Sequence, residues 1–124
     1  MHAWGLYPWF PELGLELIHP DDLSIVQAFS PHCVVCEVVG EEDFYLVIRY
    51  DSHQIRVKPE LFEPIPAPVF RFGQRVRTKP PRTLRCGVVC SIGWHYAKHQ
   101  PYYLLQVHGK VLSGRYWTEE LEAA

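Results

Sequence analysis

The sequence predicts an all-β protein made of two tandem units, residues 1–66 and residues 67–124. Two observations favour this fold class. Runs of about five to eight residues rich in Val, Ile and Tyr alternate with turn residues, which is typical of short strands. Segments of the second half also resemble segments of the first half, which indicates one unit present twice. With 48% hydrophobic and 21% charged residues among 124, the composition is that of a globular protein.

The boundary between the predicted units combines a change of charge with a proline-rich linker. Residues 1–66 hold 11 acidic and 3 basic side chains, a balance of −8, whereas residues 67–124 hold 9 basic and 3 acidic side chains, a balance of +6. Pro64, Pro66 and Pro68 fall at every second position, which favours an extended connector. The opposite fields predict that the units differ in partner or attract each other.

The amino end of the first unit carries four aromatic residues, Trp4, Tyr7, Trp9 and Phe10. A segment with so many aromatic rings is not typical of a solvent-exposed chain end. We expect it to be an extension of the first unit that packs into the junction between the units. Farther along, Pro20, Asp21 and Asp22 are typical of a helix start. The repeat alignment, however, pairs residues 22–26 with residues 72–76 at a strand entrance, and we therefore predict a strand there.

Three pairs of similar segments define the predicted duplication: 33–36 with 86–90, 44–50 with 102–108, and 59–63 with 118–122. They predict that residues 17–65 and 70–122 are copies. In that alignment Cys36 is equivalent to Cys90, and Leu46 is equivalent to Leu104. The alternative interpretation is that two β-rich halves merely look alike.

The second unit has the clearer order of elements. We predict strands at 74–78, 87–92, 102–108 and 111–117, with a long aromatic loop at 93–100 and a closing turn at 119–122. Gly109 favours a tight turn after the third strand because glycine adopts positive φ at little cost.

Five short segments carry a resemblance to a known class: 72–76, 87–89, 103–107, 115–117 and 120–121. Phe72-Gly73-Gln74-Arg75-Val76 is the first of them. This pattern resembles the small SH3-like barrel shared by KOW and Tudor-type modules. The resemblance implies two tandem five-stranded barrels, more clearly over 70–122 than over 17–65. It also implies binding of peptides, nucleic acid or a larger assembly rather than catalysis.

The aromatic residues of the second unit predict a binding groove lined by Trp94, Tyr96, Tyr103 and Tyr116. Because side chains alternate along a strand, neighbouring aromatic residues must face opposite ways, so about half of the rings belong to the core. We expect a non-enzymatic binding module that recognises a protein partner through this groove.

A basic stripe supports a second interpretation. Arg71, Arg75, Arg77 and Lys79 would share one face of a strand and could track phosphates, as in a KOW-like nucleic-acid or ribonucleoprotein binder. A third interpretation uses the acidic half, as in a small cytosolic inhibitor or immunity-type protein.

The cysteines and the search for catalytic motifs predict no catalytic residue, cofactor or metal. Cys33 and Cys36 would point to opposite faces of a strand, so Cys36 and Cys90 are interpreted as small buried apolar residues. Neither a nucleophile elbow nor a glycine-rich phosphate loop is present. No apolar run approaches the roughly 20 residues of a membrane span, and residues 1–10 lack the pattern of a signal peptide. We therefore expect no membrane partner and a cytoplasmic location.

Overall fold

The computed structural model describes residues 3–29, 31–50 and 53–124. The chain divides into two compact units, Met1–Ala67 and Pro68–Ala124, called unit 1 and unit 2 below. Each unit has its own antiparallel sheet. Over the described residues strands dominate and one short α-helix is present, so the predicted all-β class is confirmed.

Unit 1 contains a five-stranded sheet in the order β4-β3-β2-β1-β5. Its elements are β1 (Ala3–Leu6), α1 (Leu23–Phe29), β2 (Val35–Glu42), β3 (Tyr45–Tyr50), β4 (His53–Val57) and β5 (Glu63–Ile65). The first strand lies inside the sheet, where Gly5 is opposite Cys36 of β2 on one side and Pro64 of β5 on the other. The amino end is therefore part of this sheet.

The expectation of an aromatic extension is thus wrong, because these residues build unit 1. Trp4, Tyr7 and Trp9 are buried, and only Phe10 is exposed. The Tyr7 hydroxyl donates a hydrogen bond of 2.7 Å to the Lys58 carbonyl, and Tyr7 and Trp9 belong to the apolar core of the unit. Sequence similarity missed this strand because residues 7–34, which include α1, separate it from β2.

Residues 20–29 form a 3₁₀ turn, Pro20–Asp22, that continues into α1, so the predicted strand over 22–26 is wrong. The helix-start chemistry prevails over the repeat alignment. His19 Nδ1 accepts a hydrogen bond from the Asp21 amide, and Asp22 is held against Arg56 of β4. Val26 of α1 is then fully buried in the core.

A short segment before the helix covers the outer edge of β4. The Lys58 amide donates to the Leu17 carbonyl at 2.8 Å, and the His19 amide donates to the Arg56 carbonyl at 2.9 Å. Ile18 forms a bridge with Val57 between these two bonds. The edge groups of β4 are therefore paired at this point, which limits further strand addition there.

Unit 2 contains a six-stranded sheet in the order β10-β8-β7-β6-β11, with β9 beside β8. Its strands are β6 (Arg75–Thr78), β7 (Cys86–His95), β8 (Gln100–Val107), β9 (Lys110–Val111), β10 (Tyr116–Trp117) and β11 (Leu121–Ala123). Gly109 has φ +77° in the turn between β8 and β9, as predicted. Val76 is buried and its neighbours Arg75 and Arg77 are exposed, which confirms the alternation along β6.

The two sheets follow the same connectivity. In unit 1 the hairpin β2–β3 pairs with β1 through β2, and β1 pairs with the last strand, β5. In unit 2 the hairpin β7–β8 pairs with β6 through β7, and β6 pairs with the last strand, β11. A 3₁₀ turn precedes the last strand in both units, Pro59–Leu61 in unit 1 and Thr118–Glu120 in unit 2. The end strands of each sheet are not paired with one another in the described part of the chain. Each unit is therefore an open sheet, and the prediction of two five-stranded barrels is wrong because neither sheet closes.

The pairing registers change the predicted residue equivalences. Both hairpins contain a bulge, at Val39 in β2 and at Cys90 in β7. When the bulges are aligned, Cys36 is equivalent to Gly87 rather than to Cys90, and Val47 rather than Leu46 is equivalent to Leu104. Both predicted equivalences are therefore wrong, since the similar Val-Val-Cys segments lie at different distances from the extra, unpaired residue.

Candidate functional site

The two faces of the unit 2 sheet are set by the bulge at Cys90. Val89 and Ile92 are both fully buried although they are three positions apart. A regular strand would place them on opposite faces, and the extra residue at the bulge restores the same face. Tyr103 and Leu105 of β8 are opposite Ile92 and Val89 and are also fully buried. These residues define the inner face.

Two residues of the predicted aromatic groove belong to this inner face and are corrected to core residues. Tyr103 has no exposed surface and packs its ring edge-on against Phe70, with 5.4 Å between centroids. Tyr116 is opposite Tyr103 in the sheet and is only 6% exposed. Trp94 lies on β7 and is half-buried, and Tyr96 is exposed in the following turn. The four residues therefore do not line one groove.

The outer face carries a different pair of rings. Tyr102 of β8 is opposite Trp117 of β10, and their ring centroids are 6.1 Å apart in an edge-on arrangement. The ring of His95 also packs edge-on against the Trp117 ring, with 5.6 Å between centroids. All three side chains are half-buried, so part of each remains accessible. We call Tyr102, Trp117 and His95 the aromatic cluster.

Two cationic side chains lie over the aromatic cluster. Lys98 Nζ is 4.5 Å from the centroid of the Trp117 ring, and the Arg115 guanidinium is 4.7 Å from that of Tyr102. The His95 imidazole accepts a hydrogen bond of 3.2 Å from the Lys98 amide, which fixes the turn that presents this lysine. The electron-rich ring faces favour these positions. The cluster therefore presents apolar area together with positive charge.

Gly93 allows the Tyr102 ring to lie flat on the sheet. The two residues are directly opposite in β7 and β8. A Cβ atom at Gly93 would be 2.2 Å from Cζ of Tyr102, well inside van der Waals contact. The ring therefore occupies the space that a side chain at this position would fill, an arrangement that also covers the backbone of a strand glycine.

An ion pair between Glu120 and Arg82 holds the backbone at Trp117 in place. Glu120 accepts a hydrogen bond of 2.9 Å from the Trp117 amide and is paired with Arg82 at 2.9 Å. The amide hydrogen bond and then Arg82 hold the pKa of Glu120 below its usual value, and Glu120 raises the pKa of Arg82. The Arg82 guanidinium also covers the ring of Tyr116 at 4.3 Å. These contacts fix the short strand that carries Trp117.

The predicted basic stripe is divided by the limits of β6. Only Arg75 and Arg77 lie on the strand and share its exposed face, while Arg71 lies before the strand and Lys79 follows it. Arg77 is paired with Glu122 of the adjacent strand. Arg75 contributes to a depression of about 250 Å³ with Cys86 and His108. The structure thus retains a shorter basic edge on β6 than the sequence predicts.

The cysteines are all free thiols. Cys36 is fully buried and donates a hydrogen bond of 3.4 Å to the Gly5 carbonyl, and burial raises its pKa to about 12. Cys90 is half-buried at the bulge, and Cys86 is exposed. Among residues 3–29, 31–50 and 53–124, no group of three or more His, Cys, Asp or Glu side chains is arranged to hold a metal ion.

Two residues predicted for the groove, Tyr103 and Tyr116, are next in sequence to partly exposed rings but lie on the opposite face of the sheet. Tyr102 and Trp117 are the partners of Tyr103 and Tyr116 in the alternation, so the predicted rings and the exposed rings are adjacent in sequence. Gly93 is the signal in the sequence for these partly exposed rings, since a glycine inside a strand leaves room for an aromatic ring from the neighbouring strand.

Comparison with known proteins gives one match. The model of a family of unknown function (DUF6960) matches residues 1–122, so the chain belongs to that family. No curated protein and no solved structure matches the chain. In the part of the chain that the structure describes, no helix is both long enough and apolar enough to cross a membrane.

Proposed function

We propose that this member of the DUF6960 family is a non-enzymatic binding module that recognises a protein partner through the aromatic cluster of unit 2. The observation that carries the proposal is the Tyr102–Trp117 pair, held half-exposed on the outer sheet face beneath Lys98 and Arg115. Aromatic side chains fixed in one conformation contribute contact area at little entropic cost, and they are frequent among the residues that dominate interface energies.

The contacts around the cluster support recognition by a fixed surface. Gly93 leaves room for Tyr102, and Glu120 holds the Trp117 amide. A surface that is already ordered loses less entropy on binding than a flexible one.

The proposed location is the cytoplasm, which agrees with four free thiols because disulfides are rare in reducing compartments.

The test is affinity capture with the full chain from a lysate of its own organism. We expect the wild type and a Phe44→Ala control, altered at an 87% exposed ring of unit 1, to retain the same protein. Trp117→Ala should lose that protein, and so should the double charge reversal Lys98→Glu/Arg115→Glu, which leaves the rings in place. Thermal unfolding of each variant checks that unit 2 is folded.

A nucleic-acid partner would give a different result. Capture would then be abolished by nuclease, and the purified chain would bind RNA or DNA with an affinity that falls steeply with salt. Charge reversal at Arg71 and Arg75, two of the exposed cations at or near β6, would weaken that binding more than Trp117→Ala. This outcome would replace the protein-partner proposal with the nucleic-acid interpretation.

A further inference from the structure

We propose that unit 1 contains a separate binding site, a groove that takes the apolar side chain of a basic peptide segment. The groove has a volume of about 480 Å³. Its apolar lining consists of Leu15, Ile18, Pro20, Leu23 and Tyr45. Glu16 and Lys58 are the charged residues of the lining. The site lies entirely within unit 1 and does not depend on the aromatic cluster of unit 2.

The segment that leads into the groove exposes several apolar side chains. Leu15 is 48% exposed although it lines the groove, and Leu13 and Phe10 just before it are 49% and 45% exposed. Ile18, in contrast, is only 1% exposed and belongs to the core. Three large exposed apolar residues within a short segment, beside a concave site, are typical of a surface that another molecule covers.

Backbone pairing holds the groove in shape. Leu17 and His19, on either side of Ile18, are hydrogen-bonded to Lys58, just after β4, and to Arg56 of β4. The Tyr7 hydroxyl donates to the Lys58 carbonyl at 2.7 Å from the core side. A ligand therefore meets a preformed site, and little free energy is needed to order it.

The charge around the groove selects a cationic occupant. The three basic side chains of residues 1–66 all have partners within unit 1. Arg49 pairs with Glu37, and Lys58 lies 4.7 Å above the Tyr45 ring. Arg56 pairs with Asp22 and also lies 3.4 Å from Glu42 and 3.9 Å from Asp21. With these three cations counted, residues 1–66 still carry an acidic excess of −8. An anionic ligand such as nucleic acid would be repelled.

Acidic side chains stand beside the apolar lining. Glu16 belongs to the lining itself. Asp21 follows Pro20 and its side chain is 77% exposed, and Glu42 is opposite Tyr45 in the sheet with a side chain that is 56% exposed. Both carboxylates share the single guanidinium of Arg56 with Asp22, so three acidic groups face one cation there. A peptide that places one leucine or larger apolar residue in the groove would bring flanking Lys or Arg side chains to these carboxylates.

The first test measures anchor dependence with the full chain. The probes are two fluorescent lysine-rich peptides of equal charge, one with a single central leucine and one with alanine in its place. We expect the leucine peptide to bind about tenfold more tightly, since burial of the extra methyl and methylene groups accompanies binding. A glutamate-rich version should not bind. Equal affinity of the leucine and alanine peptides would show attraction by charge alone and would overturn the proposal.

The second test locates the site with matched variants. Leu15→Lys and Glu16→Lys each place a positive charge in the groove and should weaken leucine-peptide binding by about tenfold. Val111→Lys and Glu119→Lys make the same substitutions at exposed positions of unit 2 and should leave the affinity within about twofold. Equal losses in all four variants would refute a local site.

Sedimentation of the full chain decides between the peptide and a second copy. We expect a monomer at the concentrations used for peptide binding. If the wild type self-associates and Leu15→Lys prevents it, the occupant is another copy of this chain and the peptide proposal fails. Trp117→Ala should bind the leucine peptide normally, so failure of the unit 2 proposal would not affect this result.

Discussion

Replacement of Gly93 by alanine tests the architecture of the aromatic cluster without changing any charge. The new Cβ would lie 2.2 Å from Cζ and 2.4 Å from the hydroxyl oxygen of Tyr102. Because the contact is with the far end of a side chain, we expect the ring to swing away while the strands stay paired. Tyr102 then loses its contacts with Trp117 at 6.1 Å and with Arg115 at 4.7 Å.

The magnitude follows from the contacts that are lost. An edge-on ring pair contributes about 0.5–1.5 kcal/mol and an exposed cation–π contact contributes about 0.5–1 kcal/mol. The loss is partly offset, since alanine in a strand is more favourable than glycine by roughly 0.5–1 kcal/mol. We therefore expect Gly93→Ala to lower the free energy of unfolding of unit 2 by about 1 kcal/mol.

Gly40 provides a matched control in unit 1. It also lies in a strand, but a Cβ there would have no atom within 4 Å. Gly40→Ala should therefore stabilise unit 1 slightly, by up to about 1 kcal/mol. The two glycine substitutions are expected to have opposite signs.

Urea unfolding of the full chain, followed by amide NMR signals assigned to each unit, measures both effects. A double-mutant cycle then isolates the contact. In a Tyr102→Ala background, Gly93→Ala should no longer be destabilising, because the ring that it displaces is gone. The same destabilisation in both backgrounds would refute the packing of Tyr102 on Gly93 and would remove the main support for a preformed cluster.

Three further substitutions test unit 1. Burial raises the pKa of Tyr7, so its stabilising effect is present below the ordinary tyrosine value of about 10 and is lost as the pH rises above it. Tyr7→Phe removes the hydroxyl and leaves the Lys58 carbonyl without this donor, so it should lower the free energy of unfolding by about 1–2 kcal/mol at neutral pH. The variant should also lose less stability than the wild type at alkaline pH, as measured by chemical denaturation at a series of pH values. The hydrogen bonds from Arg56 lower the pKa of Asp22, so its contribution is present above about 4, the ordinary carboxyl value, and is lost as the pH falls through the lowered value. Asp22→Asn should therefore flatten the acid limb of the stability curve, and an unchanged acid limb would contradict the pairing. Gly5→Ala places a Cβ 2.5 Å from a backbone oxygen of β5 and should destabilise unit 1 by about 1–3 kcal/mol in the same urea assay, whereas a neutral result would contradict the central position of β1.

Local patterns in the sequence were sufficient where neighbouring residues decide the structure. Alternation along β6 placed Val76 inside and Arg75 outside, and Gly109 marked the turn with positive φ. The change of charge sign and the prolines suggested a boundary after residue 66, and the compact units of the structure divide after Ala67. Each of these features depends on residues close together in the chain.

The candidate site was only partly predictable. Alternation correctly required that Tyr102 and Tyr103 face opposite ways, but it does not state which of them faces the core. That choice depends on which residues of the neighbouring strand lie opposite, and hence on the bulge at Cys90. Identical short segments gave no sign of this extra residue, so the predicted groove included two core tyrosines.

The tertiary structure also decided which segments form the sheet of unit 1. The first strand pairs with β2 and β5, whose residues lie about 30 and 60 positions farther along the chain. Such pairing is stabilised by burial of Trp4, Tyr7 and Trp9 rather than by local propensity, and the sequence alone showed only that these rings must be covered. The sequence by itself therefore determined the strand-rich class, the opposite charges of the halves and the local turns. Long-range pairing and one bulge determined the order of the strands and the rings that reach the surface, because a shift of one residue in a strand exchanges its buried and exposed faces.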